Sequence, residues 1–233
     1  MIRNTFVLLL ACCFVSGPTA TCLKAVKKVN LPFSEPSDIC YYDHHYFFAC
    51  DNGFLRITND SFRVLKKIGF EGADLEGVWA DEKHIYLSNE SGREIITLNR
   101  SDYSVLNHFP VEYHGGRNLG LESLTRDPEG NYYSAGEKEP VQLMKWNAGL
   151  QMTESRELEG YNDISGMTWH DGYLYILSDE DQTVTKVNSD YTVNKRWKIP
   201  VYNPEGICFN PQGQLLICSD RMSKLYVFNL TAE

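Results

Sequence analysis

The sequence is short of positive charge. Lysine and arginine number 22 against 31 aspartates and glutamates, for a formal net charge of −9. They form no basic stripe and no long run, which excludes the usual footprint of a nucleic-acid binder. Long apolar stretches are also missing. The N-terminal run over residues 6–15 has ten residues, half of the roughly 20 that a membrane-spanning helix requires. There is no Cys-x-x-Cys and no His-Glu-x-x-His, so the cysteines and histidines carry no zinc or iron signature. A Gly-x-Ser-x-Gly elbow, a phosphate-binding glycine loop and a Ser-His-Asp order are absent too, which removes the common hydrolase templates. No linker marks a second domain.

What is present is ordinary in amount and particular in order. Apolar residues make up 42% and charged residues 23%, as in soluble globular proteins. Aromatics reach 12%, with 14 Tyr and 11 Phe, which favours packed sheets over disorder. The acidic surplus suits a soluble surface and leaves room for a cation site.

The N-terminus reads as a targeting segment. Arg3 precedes the short apolar run, and a small, turn-prone stretch follows it from Ser16 to Thr21. That order fits an export signal. Leu9-Leu10-Ala11-Cys12 resembles a lipoprotein box, which would place a lipid on Cys12. Cys22 is the alternative anchor, although Thr21 before it departs from the pattern, and plain cleavage between Gly17 and Thr21 is the third reading. The expectation is a leader over residues 1–21 and a single domain over 22–233. The protein is expected in the periplasm or cell envelope, meeting a membrane only through such a lipid anchor.

A motif recurs along the rest of the chain. Its copies are Ser37-Asp38-Ile39-Cys40-Tyr41, Glu76-Gly77-Val78-Trp79, Glu122-Ser123-Leu124-Thr125, Ser165-Gly166-Met167-Thr168-Trp169 and Glu205-Gly206-Ile207-Cys208-Phe209. They lie about 40 residues apart, a period that signals a propeller. Each is followed by a turn rich in Asp, Asn, Pro and Gly. An aromatic-rich strand comes next (46–49, 85–87, 132–134, 174–177 and 215–217), and it ends in a polar knot. The knots contain Asp51, Glu90, Glu137, Asp179-Glu180 and Asp220. Alternating strands follow at 95–98, 142–146, 184–187 and 225–228, and then a more polar strand such as 193–200. Four short strands per period make a propeller blade.

The last copy has room for only three strands. The segment 25–32 resembles the polar fourth strand at 193–200. The sequence therefore predicts an all-β, five-bladed β-propeller closed by an N-terminal strand that completes the last blade. Closure removes the sheet edge that an open array would expose.

In a propeller the first strands line the central channel, and first and second strands are antiparallel. The starts of the first strands and the ends of the second strands therefore meet on one face. Glu76, Glu122 and Glu205 converge there with the polar knots. Asp163 and Asp74, two residues before Ser165 and Glu76, point to the same sides as those residues. Like charges 4 Å apart cost about 4 kcal/mol at an effective dielectric of about 20. Such a mouth must protonate, stay hydrated or recruit a cation. Calcium, which takes about 6–8 oxygen ligands, is the expected cofactor, with Glu76, Glu122, Glu205, Asp163, Glu137 and Asp179 as its candidate ligands. The plainer alternative is that these carboxylates only cap turns. His114 and Arg117 precede the third motif and are candidates to reach the same face, with solvated loop residues as the plainer reading.

Cys40 and Cys50 lie ten apart across the first hairpin, as do Cys208 and Cys218 across the last. The midpoints, His45 and Gly213, fall in turns, so each pair could sit directly cross-strand. Export permits oxidation, and two disulfides are one expectation. Small buried thiols packing between blades are the other.

Asp74-Leu75-Glu76-Gly77-Val78, Gly120-Leu121-Glu122-Ser123-Leu124, Asp163-Ile164-Ser165-Gly166 and Pro204-Glu205-Gly206-Ile207 resemble the SdiA-regulated family of bacterial envelope proteins. So do Ser88-Asn89-Glu90, Glu137-Lys138-Glu139-Pro140 and Ser178-Asp179-Glu180. The resemblance spans about residues 24 to 230. It implies a five-bladed propeller distantly similar to NHL-repeat propellers, and a calcium site. The first blade departs from the pattern, with Ser37-Asp38 in place of Glu-Gly. Three functions are open: a calcium-binding envelope protein that takes a small ligand or an envelope partner, a calcium-dependent phosphodiesterase or lactonase using the acidic mouth, and a structural scaffold.

Overall fold

The structure, a computed structural model, describes residues 21–112 and 120–230. Residues 1–20 of the expected 1–21 leader, with Cys12, lie outside the described residues, as do His114 and Arg117. Five sheets surround a central channel. Blade 1 holds β3 (Pro36–Tyr42), β4 (His45–Cys50), β5 (Phe54–Asn59) and β6 (Val64–Gly69). Blade 2 holds β7 (Leu75–Ala80), β8 (His84–Asn89), β9 (Glu94–Asn99) and β10 (Val105–Pro110). Blade 3 holds β11 (Glu122–Arg126), β12 (Tyr132–Gly136), β13 (Gln142–Trp146) and β14 (Met152–Glu157). Blade 4 holds β15 (Gly166–His170), β16 (Tyr173–Ser178), β17 (Thr183–Val187) and β18 (Val193–Lys198).

Blade 5 takes β19 (Pro204–Phe209), β20 (Leu215–Ser219) and β21 (Lys224–Phe228) from the C-terminal end, and β2 (Ala25–Asn30) from the N-terminal end. Val29 faces Leu225 and Lys28 faces Tyr226 in this closing pair. A further strand, β1 (Thr21–Cys22), has no counterpart in the sequence pattern. It adds to the outer edge of blade 4 in parallel, with Thr21 opposite Trp197 and Cys22 opposite Lys198.

The burial pattern follows strand position. Second strands are packed on both faces, and β12 and β20 are buried throughout; strands covered on both faces read as continuous apolar runs. Fourth strands face solvent, which is why β14 reads MTESRE. The core is divided into seams, one between each pair of neighbouring blades. Phe47, Leu55, Val78 and Leu87 fill the seam between blades 1 and 2. Phe48, Cys50, Cys208 and Cys218 help to fill the one between blades 5 and 1.

The inner strands crowd at the axis. A Cβ on Gly206 would lie 2.6 Å from Asp38 Cα and 2.7 Å from Cys218 Sγ, so only glycine fits. Asp38 occupies the equivalent position in blade 1 and is 1% exposed. Its Oδ1 accepts from Ile39 N at 2.8 Å, and its Oδ2 accepts from Val78 N at 3.0 Å, Leu124 N at 3.2 Å and Ser123 Oγ at 3.2 Å. Ser123 Oγ in turn accepts from Met167 N at 2.9 Å. One carboxylate and one hydroxyl thus tie the first strands of blades 1 to 4 together. Burial pushes the Asp38 carboxyl up to about 7, although the N–H groups of Val78, Ile39 and Leu124 oppose the shift.

The structure corrects the disulfide expectation. Cys40, Cys50, Cys208 and Cys218 are free thiols. The register puts Cys40 opposite Phe47, Cys50 opposite Pro36 and Cys208 opposite Leu216, so neither pair is cross-strand. Three of the four pack in the seam between blades 5 and 1, in line with the thiol alternative.

Two results are expected. Thiol titration of the denatured protein without reductant should find these four cysteines reactive; loss of two or four of them would restore the disulfides. Asp38→Ala leaves three buried N–H donors without their acceptor, at about 1–3 kcal/mol each, so denaturant unfolding should show a loss of at least about 3 kcal/mol. An unchanged midpoint would refute the role of Asp38 at the axis.

Candidate functional site

Two rings of side chains meet at one mouth of the channel. The starts of the first strands supply an inner ring of Ser37, Glu76, Glu122, Ser165 and Glu205. The ends of the second strands and the turns after them supply an outer ring with Asp51, Glu90, Glu137, Lys138, Asp179, Glu180 and Asp220. Together with Asp163 they enclose a cup of about 250 Å³ holding ten carboxylates and one lysine. All six residues singled out in the sequence as candidate ligands line this cup.

Proximity and burial set its electrostatics. Burial raises the Glu76 carboxyl well above the ordinary range, and the charge of Asp74 adds to the effect. Glu122 is raised in the same way, by burial first and then by Glu76, Glu90 and Glu205. Glu205 is pushed up to about 9, Glu90 to about 7 and Asp51 to about 6, with burial the largest cause each time. Lys138 Nζ lies 2.7 Å from Glu137 Oε1 and 3.3 Å from Glu180 Oε1. Among the described residues it is the one cation in the lining.

Several of these groups have local partners. Glu90 Oε1 accepts from Gly120 N at 2.9 Å. Ser165 Oγ donates to Pro204 O at 2.7 Å. Asp163 accepts from Asp179 N at 3.0 Å, Glu180 N at 3.1 Å and Ser178 Oγ. Asp163 is therefore largely committed to capping its own blade. Ser37 differs: it is 3% exposed, and among the described residues its hydroxyl has no hydrogen-bond partner.

The donor set is hard oxygen throughout: carboxylates and two hydroxyls, with no histidine or cysteine among the described lining residues. That chemistry fits a hard cation such as calcium or magnesium, and the orphaned Ser37 hydroxyl fits a missing polar neighbour. Among the described residues, no three acidic, histidine or cysteine side chains form a ready-made metal-ligand group. The carboxylates ring the cup without closing on one point.

The opposite end of the channel has other chemistry. A cavity of about 130 Å³ is lined there by residues such as Tyr41, Trp79, Arg126, Trp169 and Phe209. Sequence reasoning missed Lys138 as a counter-charge, the unpartnered Ser37 and the Asp38 tie. The departure of Ser37-Asp38 from the glutamate-glycine motif was the available signal for the last two.

Residues 34–229 match the model of the SdiA-regulated family. The chain belongs to the SdiA-regulated family. No curated protein sequence matches it. Among solved structures, this SdiA-regulated propeller resembles glutaminyl cyclase of Myxococcus xanthus, with a TM-score of 0.74 at 13% identity over 88% of this chain and 95% of that one. A streptogramin B lyase structure gives 0.57 at 16% identity over 89% and 70%. The WD40 propeller domain of Doa1 gives 0.57 at 10% identity over 83% and 63%. Likenesses at these identities establish the propeller fold alone.

The raised acids bind protons more tightly folded than unfolded. Folding therefore takes up protons, and stability falls as pH rises from about 4.5 through about 9, the span given by Glu205. In chelator, scanning calorimetry should show the melting temperature dropping steadily across that window. A melting temperature that rises through it would mean that these carboxylates are not crowded in solution.

Proposed function

We propose that this SdiA-regulated protein is an exported propeller of the cell envelope that binds calcium in the acidic cup and presents that cup to a ligand or partner. One observation carries the reading: ten carboxylates and a single lysine share about 250 Å³. Glu76, Glu122 and Glu205 would hold the ion from the inner ring, with Glu137 and Asp179 reaching in from the rim. Asp163 contributes less, because both of its oxygens already accept hydrogen bonds. Bound there, calcium would neutralise the carboxylates and offer remaining coordination positions to oxygen atoms of a ligand.

The signal-like leader supports export. Among the described residues no helix is long and apolar enough to cross a membrane. The hydrolase alternative would need an ordered general base beside an open metal position.

Calorimetric titration with calcium should show saturable binding, and calcium should raise the melting temperature relative to chelator. Glu76→Gln, Glu122→Gln and Glu205→Gln should each weaken binding by about tenfold or more, which is about 1.4 kcal/mol, while the ring stays folded. Should all three variants bind calcium like the parent protein, the cup is not the calcium site.

A further inference from the structure

The cup is larger than one ion needs. Its 250 Å³ or so is several times the roughly 30 Å³ share of a water molecule in the liquid. Its contents are also unevenly compensated around the ring. Between blades 3 and 4 the chain supplies its own ammonium, Lys138 Nζ, 2.7 Å from Glu137 Oε1 and 3.3 Å from Glu180 Oε1. Between blades 5 and 1 the acceptors are of the same kind, Asp220 and Asp51 at the ends of the second strands, and among the described residues no lysine or arginine lines the cup there. Glu35 and Asp74 add further negative charge around Asp51. Arg221, which acts on Asp220, is exposed and outside the lining.

Ser37 belongs to the same sector, at the start of the first strand of blade 1. It is only 3% exposed and lines the cup, and among the described residues its hydroxyl has no partner. Buried hydroxyls are ordinarily paired, so this one marks a place where a polar atom of a ligand belongs.

We propose that this sector takes a primary ammonium group of an organic ligand, seated against Asp51, Asp220 and the Ser37 hydroxyl. The inference rests on reading the cup as a cation site and adds the class of organic ligand it admits. A primary ammonium has three N–H donors, and two carboxylates and a hydroxyl offer three acceptors. Lys138 shows the same recognition from within the chain, on Glu137 and Glu180. The lining also sets selectivity. Among the described residues it contains aspartate, glutamate, serine and lysine alone, with no aromatic face for a quaternary ammonium to approach. A quaternary head group, which has no N–H to donate, gains neither hydrogen bonds nor ring contacts there.

The test is calorimetry on the purified protein, in calcium and in chelator, with four probes: 1,4-diaminobutane, glycylglycinamide, its N-acetylated form and choline. Saturable binding of at least one of the first two is expected, with the acetylated peptide and choline at least tenfold weaker. Tighter binding of the diamine would identify a free amine as the source; tighter binding of the peptide would identify a chain terminus. The Asp51→Asn, Asp220→Asn double variant should lose at least tenfold in amine affinity. Ser37→Ala, a smaller change in case the double variant misfolds, should lose severalfold. No amine binding in either buffer, choline binding as tightly as the amines, or Ser37→Ala binding like the parent protein would each overturn the inference. Calcium binding without amine binding would sink this inference and leave the calcium reading standing. Amine binding without calcium binding would do the reverse.

Discussion

Everything in this molecule is arranged around the crowding of five first strands at one axis. At that radius there is no room for side chains at the second motif position, which is why glycine stands at 77, 166 and 206. The two exceptions, Asp38 and Ser123, do not violate the constraint. They fill the axis and turn it into a hydrogen-bonded tie across four blades. Close approach is thus converted from a steric problem into the contact that fixes the strands relative to one another.

That same convergence creates the electrostatic problem one residue earlier. The positions just before the axis point up the channel, and three of the five are glutamates. Because the rigid ring will not spread, the carboxylates cannot separate. Burial and mutual repulsion then raise their proton affinity together. A flexible loop with these residues would relax; a closed ring holds the carboxylates in place.

The fold was legible because each strand type has a distinct physical environment. Second strands are sandwiched and read as apolar runs, outer strands are wet and read as polar, and the turns carry their own residues. The three-strand remainder at Glu205 and the spare polar strand at Ala25 could be matched for that reason. The disulfide expectation misplaced a turn. A hairpin centred on His45 would set Cys40 opposite Cys50. The turn lies instead at Asp43-His44, with φ of 49° and 61°, and Tyr42 faces His45. The convergence of the six candidate ligands was legible from topology, since any propeller brings those positions to one face. Lys138 was not, because a counter-charge is a fact of three-dimensional neighbourhood, and the orphaned Ser37 left only its departure from the glutamate-glycine motif as a trace. The strand at Thr21–Cys22 was hidden for a different reason: two residues carry no periodicity.

That short strand has a mechanical consequence. The N-terminal segment grips two blades in succession, first the edge of blade 4 through β1 and then the edge of blade 5 through β2. A pull arriving along the chain from residues before Thr21 meets the two-residue grip first. That pairing offers fewer backbone hydrogen bonds to break than the six-residue β2 that closes the ring. The N-terminal segment thus holds the ring at two points in series, a two-residue pairing on blade 4 and then the six-residue closure of blade 5.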